Sequence, residues 1–184
     1  PHRINHRANI QALYGAGVDA ILAVCSVGTI PADFPPGSVG YAVQYIDFTG
    51  VEMTFFQDEA QFTSMTEPFD SGMNNKLHQV LTKLQPGVEL GRTYWLAQGP
   101  HFETSAEINA IEKLGGEVVG MTMPRECKLA VELGIPYAAI LVSSNWAAGR
   151  EPGDSSKALD HSEVSATAET KLGPVIECIK AFTQ

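Results

Sequence analysis

The chain predicts an α/β layer fold with a largely parallel or mixed sheet. Two observations carry this. Short, nearly continuous apolar runs alternate with segments whose apolar residues recur at three- and four-residue spacing, and glycines punctuate most of the changes between them. A third observation bounds it: 184 residues, 44% hydrophobic and 18% charged, suit one domain over residues 1–184 that buries a core of its own.

The elements follow in chain order. Asn5–Gly15 predicts a helix that stops at Gly15-Ala16-Gly17. Asp19–Val27 is a nearly unbroken apolar run closed by Gly28, as expected of a strand buried on both faces. Gly40–Phe48 predicts a second strand, which Gly50 ends. From Gly50 to Asp70 aromatic, acidic and proline residues mix without period, and a loop of that length is often functional. Ser71–Leu84 predicts a helix with Leu77, Val80, Leu81 and Leu84 on its buried face.

Arg92–Ala97 predicts a strand, followed by the turn Gln98-Gly99-Pro100. Thr104-Ser105-Ala106-Glu107 has the form of a capping box and opens a helix that runs through Leu114 to Gly115-Gly116. A short strand over Glu117–Gly120 precedes a helix over Pro124–Leu133, which Gly134 closes; Tyr137–Ser143 is the next buried strand. A last helix begins near Asp160 with the stripe Leu172, Val175, Ile176, Ile179, and Gly173-Pro174 is placed to kink or split it.

Charge and composition exclude several classes of function. Twelve Lys and Arg against 21 Asp and Glu give a formal charge of −9, without the clustered basic residues of a nucleic-acid footprint. The longest apolar runs, Ala20–Val27 and Tyr137–Val142, fall well short of the roughly 20 residues that cross a membrane. Cys25, Cys127 and Cys178 are odd in number and lack a CxxC pair, so the expectation is reduced, buried thiols in a cytoplasmic protein rather than a zinc site or disulfide framework. His2, His6, His78 and His101 show no metal-ligand spacing. The chain opens at Pro1-His2-Arg3-Ile4-Asn5, with neither an initiating Met nor a signal-peptide pattern.

In open α/β sheets, ligands bind beyond the carboxyl ends of the strands. That rule selects Cys25–Gly28, Gly99–Glu103, Met121–Thr122 and Ser143–Trp146. Each admits two readings. Cys25-Ser26-Val27-Gly28-Thr29 either brings backbone N–H groups to an anion or simply turns the chain, and its spacing is neither a Walker loop nor GxGxxG. Glu103 either sits favourably at a helix N-terminus, worth roughly 0.3–1 kcal/mol, or accepts hydrogen bonds from a planar heterocycle stacked on Phe102. The Thr122 hydroxyl either binds an anion or caps the next helix. Asn145 either reads a ring nitrogen and a carbonyl together or is a turn residue. His161, after Asp160, reads first as a solvated surface group.

Taken in order, several segments resemble the trimeric purine nucleoside phosphorylase family, which includes the methylthioadenosine and methylthioinosine phosphorylases. They are Ile4–Ile10, Ala23–Ile30, Gln44-Tyr45-Ile46-Asp47, Met65–Phe69, Gly99-Pro100-His101-Phe102-Glu103-Thr104 with Ala106-Glu107, Val119-Gly120-Met121-Thr122, Glu126 and Leu129-Ala130. The resemblance runs over essentially the whole chain. It implies a phosphorylase-type three-layer fold, with a central mixed β-sheet flanked by helices. It also implies phosphorolysis: phosphate displaces a purine from C1′ of a nucleoside, without metal or organic cofactor and with inorganic phosphate as co-substrate. The implied partners are a purine nucleoside and phosphate, with no nucleic acid and no membrane, in a homotrimer. Family chains begin with a strand and a Gly-rich phosphate loop before the segment that matches Pro1, so the resemblance implies that this front portion is absent here.

The resemblance also assigns roles. Ser26, through its backbone N–H, and Thr122, through its hydroxyl, are similar to phosphate-binding positions, with Cys25 beside them where relatives carry Asn or Thr. Phe102 resembles the aromatic against the base, and Met121, with Val119, lies by the pentose. Phe62 resembles a residue that reaches over the pentose from the neighbouring subunit. His161 resembles a histidine that bonds the 5′-hydroxyl, whereas Asn145–Gly149 is similar to the bacterial methylthioinosine enzymes. Glu103 and Asn145 match the Glu and Asn of 6-oxopurine-specific relatives; 6-aminopurine-specific ones carry Asp at the Asn position and again two residues on, where this chain has Ala147. A 6-oxopurine nucleoside or 5′-methylthioinosine is the expected substrate. Methylthioadenosine phosphorolysis, hydrolytic nucleosidase activity and a non-catalytic relative of the same fold are the alternatives.

Overall fold

Asn5 opens the first helix by accepting a hydrogen bond from the Ala8 N–H at 3.0 Å, and from there the chain alternates helices and strands. The computed structural model describes residues 1–160, 162, 164, 166 and 172–183. Its elements are α1 (His6–Gly15), β1 (Ile21–Thr29), β2 (Val39–Asp47), α2 (Ser71–Leu84), β3 (Gly91–Leu96), α3 (Ser105–Lys113), β4 (Val118–Gly120), α4 (Met123–Glu132), β5 (Tyr137–Trp146) and α5 (Leu172–Thr183).

The sheet is mixed, as expected, but it is not open. Its order is β1-β4-β3-β2-β5, and β5 pairs back onto β1 to close a barrel. β1 and β5 run parallel along their length; β2, β3 and β4 run parallel to one another; the two groups meet through the antiparallel contacts β1–β4 and β2–β5. The closing contacts are short: β1 meets β4 only at Gly28 and Thr29, and β2 meets β5 only at Val39, Gly40 and Tyr41.

Helices cover the barrel on separate sides. Met123, Cys127 and Ala130 of α4 pack with Cys25, Val27, Tyr94 and Tyr137. Leu77 and Leu81 of α2 pack with Val175 and Cys178 of α5 over Val39 and Ile140. Ile108 and Ile111 of α3 cover Val119. Among the described residues no helix is long and apolar enough to cross a membrane.

Several expectations need correction. β1 is not buried on both faces: Val24 is 48% exposed and Ser26 is exposed, because the end of this strand borders a cavity. The buried stripe of α5 is Val175 and Cys178, with Leu172, Ile176 and Ile179 exposed, and Leu84 likewise lies outside the buried face of α2. Gly173 and Pro174 fall in the first turn of α5, where proline is tolerated; the expected helix before them lies mostly outside the described residues.

The segment from residue 48 to 70 carries no regular element, yet it is tied down in its middle. Arg7 on α1 donates Nε–H to the Thr54 carbonyl at 2.8 Å, and Glu132 on α4 accepts from the Phe55 N–H at 2.8 Å. Below it, Lys128 of α4 pairs with Asp47 at the end of β2. Burial alone would raise the Asp47 carboxyl, but bonds from Lys128 and Thr49 prevail and hold it below its ordinary value.

Candidate active site

The strand ends converge on one cavity of about 320 Å³. Cys25, Ser26, Phe102, Glu103, Val119, Met121, Thr122 and Asn145 all line it. Two expected residues are not among those that line it. Phe62 is 98% exposed and takes no part in this chain's cavity, and His161 lies outside the described residues.

β1 and β5 build one wall. A register shift between Val27 and Gly28 places Gly28 opposite Asn145. The approach is close: a Cβ on Gly28 would stand 3.2 Å from Asn145 Nδ2. β5 runs three residues further than its apolar core suggests, so Asn145 belongs to a paired strand rather than to a turn. Its amide is oriented by its neighbours. Nδ2 donates to the Trp146 carbonyl at 2.8 Å, and because a carbonyl only accepts, that atom is the NH2. Oδ1 then accepts from the Ser144 hydroxyl at 2.9 Å. The two ends of the amide are thereby distinguished, and one N–H of Nδ2 remains for a ligand.

The lining also carries Glu103 beside Phe102. The helix α3 is capped without it, because Thr104 and Glu107 form a reciprocal capping box. Glu103 Oε1 is buried with no hydrogen-bond partner. Burial, partly offset by its own backbone N–H and reinforced by Glu107, raises the Glu103 carboxyl above its ordinary value. An unpartnered carboxyl in a cavity wall is suited to a ligand N–H.

The floor lies where β4 meets α4. Thr122 occupies the N-cap position of α4, but its side chain makes no capping bond, which leaves the hydroxyl at the positive end of the helix. Its N–H donates to Tyr94 Oη at 3.4 Å. Cys25 stands alongside as a buried thiol; burial, and secondarily Glu126, push its pKa well above the ordinary value, so it is neutral at physiological pH.

Sequence reasoning gave no role to Ser144 or Tyr94, both of which position cavity residues. Ser144 is buried, accepts from the Ser26 hydroxyl at 2.8 Å and lies 3.1 Å from the Val27 carbonyl. The one signal for it was a hydroxyl residue continuing an apolar strand, where a buried polar group needs a partner. For Tyr94 the sequence carries no such signal.

The arrangement can hold a flat heterocycle between a donor amide and a carboxyl, with an anion at the α4 terminus. Comparison with known proteins identifies the family. The profile described as Phosphorylase superfamily matches residues 1–182. The chain is 43% identical over 151 residues to the probable S-methyl-5'-thioinosine phosphorylase of Methanopyrus kandleri, covering 81% of this chain and 59% of that protein. It is 38% identical over 190 residues to the 6-oxopurine nucleoside phosphorylase of Pyrococcus furiosus, covering 98% of this chain and 70% of that one. In three dimensions it resembles a variant adenosine/methylthioadenosine phosphorylase from Schistosoma mansoni in complex with adenine, with a TM-score of 0.88, 25% identity and coverage of 98% and 71%. The expected phosphorylase-type fold is thereby borne out. On the match over nearly its whole length, and on the convergence of its strand ends, this chain is a member of the Phosphorylase superfamily.

Proposed function

We propose that this chain carries the base-binding and part of the phosphate-binding machinery of a phosphorylase acting on a 6-oxopurine nucleoside or 5′-methylthioinosine. The products are a free purine and a pentose 1-phosphate. The observation that carries the reading is the presence of both Asn145, with one N–H left for a ligand, and the unpartnered Glu103 Oε1 in the lining of one cavity. A 6-oxopurine offers O6 and N7 as acceptors and N1–H as a donor, which is the complement of that pair. The names of the archaeal relatives point to the same substrates.

Chemistry then follows from the site. As the glycosidic bond breaks, charge moves onto the base, and the Asn145 N–H stabilises it where it develops. Phosphate is held against C1′ by the Ser26 N–H and the Thr122 hydroxyl, with Cys25 as a neutral neighbour. Phe102 packs on the base, while Met121 and Val119 lie against the pentose. No metal or organic cofactor is required; inorganic phosphate is the co-substrate. We place the enzyme in the cytoplasm as a homotrimer, in which Phe62 reaches the neighbouring subunit's pentose site. Support for the last point is the near-complete exposure of this large apolar side chain.

The test is base release from methylthioinosine, inosine and methylthioadenosine, with and without phosphate, together with the mass of the particle in solution. Phosphate-dependent release from the first two is expected. Release without phosphate would identify a nucleosidase, and a preference for methylthioadenosine would overturn the role of Asn145.

A further inference from the structure

We propose that Ser144 is a specificity-determining positioning residue: its hydroxyl holds Asn145 Oδ1 and so keeps the amide in the orientation that presents Nδ2, rather than the oxygen, to a purine. This rests on the reading of Asn145 as the base-contacting amide. The direction of each bond in the chain is fixed by chemistry. The Trp146 carbonyl lies 2.8 Å from Asn145 Nδ2 and can only accept, so the other amide atom, 2.9 Å from Ser144 Oγ, is the oxygen. The Ser26 hydroxyl donates to Ser144 Oγ at 2.8 Å. Ser144 has a single proton, which must then point away from Ser26. It meets Asn145 Oδ1 at 2.9 Å, ahead of the Val27 carbonyl at 3.1 Å.

A 6-aminopurine needs an acceptor opposite its exocyclic NH2. The buried Ser144 hydroxyl on Oδ1 and the Trp146 carbonyl on Nδ2 together oppose the amide flip that would turn the oxygen toward the base, and Ser144, on a strand, has little freedom to release it. Discrimination thus resides in two residues, Asn145, which reads the base, and Ser144, which orients Asn145. Ser26 extends the arrangement to the part of β1 proposed to receive phosphate, so the anion-binding and base-reading parts of the cavity share one hydrogen-bonded chain across β1 and β5.

Equilibrium binding of hypoxanthine and adenine to wild type, Ser144→Ala and Ser144→Thr, by calorimetry in the presence of phosphate, tests this without relying on turnover. Ser144→Ala frees Oδ1 and is expected to lower the hypoxanthine-to-adenine affinity ratio about tenfold. Ser144→Thr retains the hydroxyl and keeps the ratio within about twofold of wild type; thermal melting verifies that each variant is folded. An unchanged ratio in Ser144→Ala overturns the proposal. So does an equal shift in both variants, which would assign the effect to packing. If neither base binds wild type, both this proposal and the phosphorylase reading fail. A Ser144-dependent ratio without phosphate-dependent base release supports the role of Ser144 and rejects the phosphorolysis alone.

Discussion

The Tyr94 hydroxyl occupies the space that a side chain on Gly120 would need: a Cβ built there would stand 2.0 Å from Tyr94 Oη and 2.6 Å from the ring carbon that bears it. Tyr94 is fully buried, so it has no room to withdraw. Gly120→Ala must therefore shift the end of β4, and with it Met121 and Thr122. We expect a loss of about 1–3 kcal/mol in denaturant unfolding and weaker phosphate dependence of base release. A variant as stable as wild type would contradict the close packing of these two residues.

Asn145→Asp replaces the only donor that the amide offers by a group that accepts. Phosphorolysis of methylthioinosine should fall by at least about 100-fold in kcat/KM, the usual effect of removing a donor aimed at developing charge. Activity on the 6-amino analogue should fall less, because its exocyclic NH2 gains an acceptor. Parallel losses on both substrates would show that the residue is not reading the base.

Glu103 sets a pH dependence of defined sign. Its folded pKa lies above the ordinary carboxyl value, so between the two values the folded state holds a proton that the unfolded chain has lost. Stability therefore falls as pH rises through that window. Glu103→Gln is expected to raise the melting temperature at neutral pH, with the advantage over wild type vanishing below about pH 4.5, the ordinary value. The same substitution should remove the acidic limb of the kcat/KM profile, on which wild type loses its N1–H acceptor by protonation.

Thiol chemistry should be quiet. Cys25, Cys127 and Cys178 are all buried. Burial pushes Cys127 up to about 12, against a small opposing effect of Lys128, and burial with Glu177 takes Cys178 to about 11. At pH 8 the folded protein should react with an aromatic disulfide reagent far more slowly than the protein in denaturant. Fast modification of a native thiol would contradict their placement.

Much of this fold was legible because its signals are local. The capping box at Thr104 and Glu107, and the helix from Ser71 to Leu84, depend on residues within a turn or two of one another. The cavity was legible as a set of strand ends. How its walls work was not. Asn145 reads as a turn residue until β5 is seen to continue alongside β1, and the shift between Val27 and Gly28 that brings Gly28 to it is a property of two strands together. Thr122 reads first as a helix cap, and only the structure shows that its side chain makes no capping bond. Val24 reads as core because an apolar run does not reveal which of its faces meets a cavity.

The ties from Arg7 and Glu132 to residues 54 and 55 change what kind of object the long aperiodic segment is. A free excursion from residue 48 to 70 would behave as one floppy chain. Stitched near its middle to two separate helices, it becomes two shorter arcs, each with fewer shapes to explore and less entropy to lose on ordering. The second arc, which carries Phe62, starts from a fixed post on the flank of the barrel rather than from a drifting one. Whatever that ring meets, it is delivered from a known place.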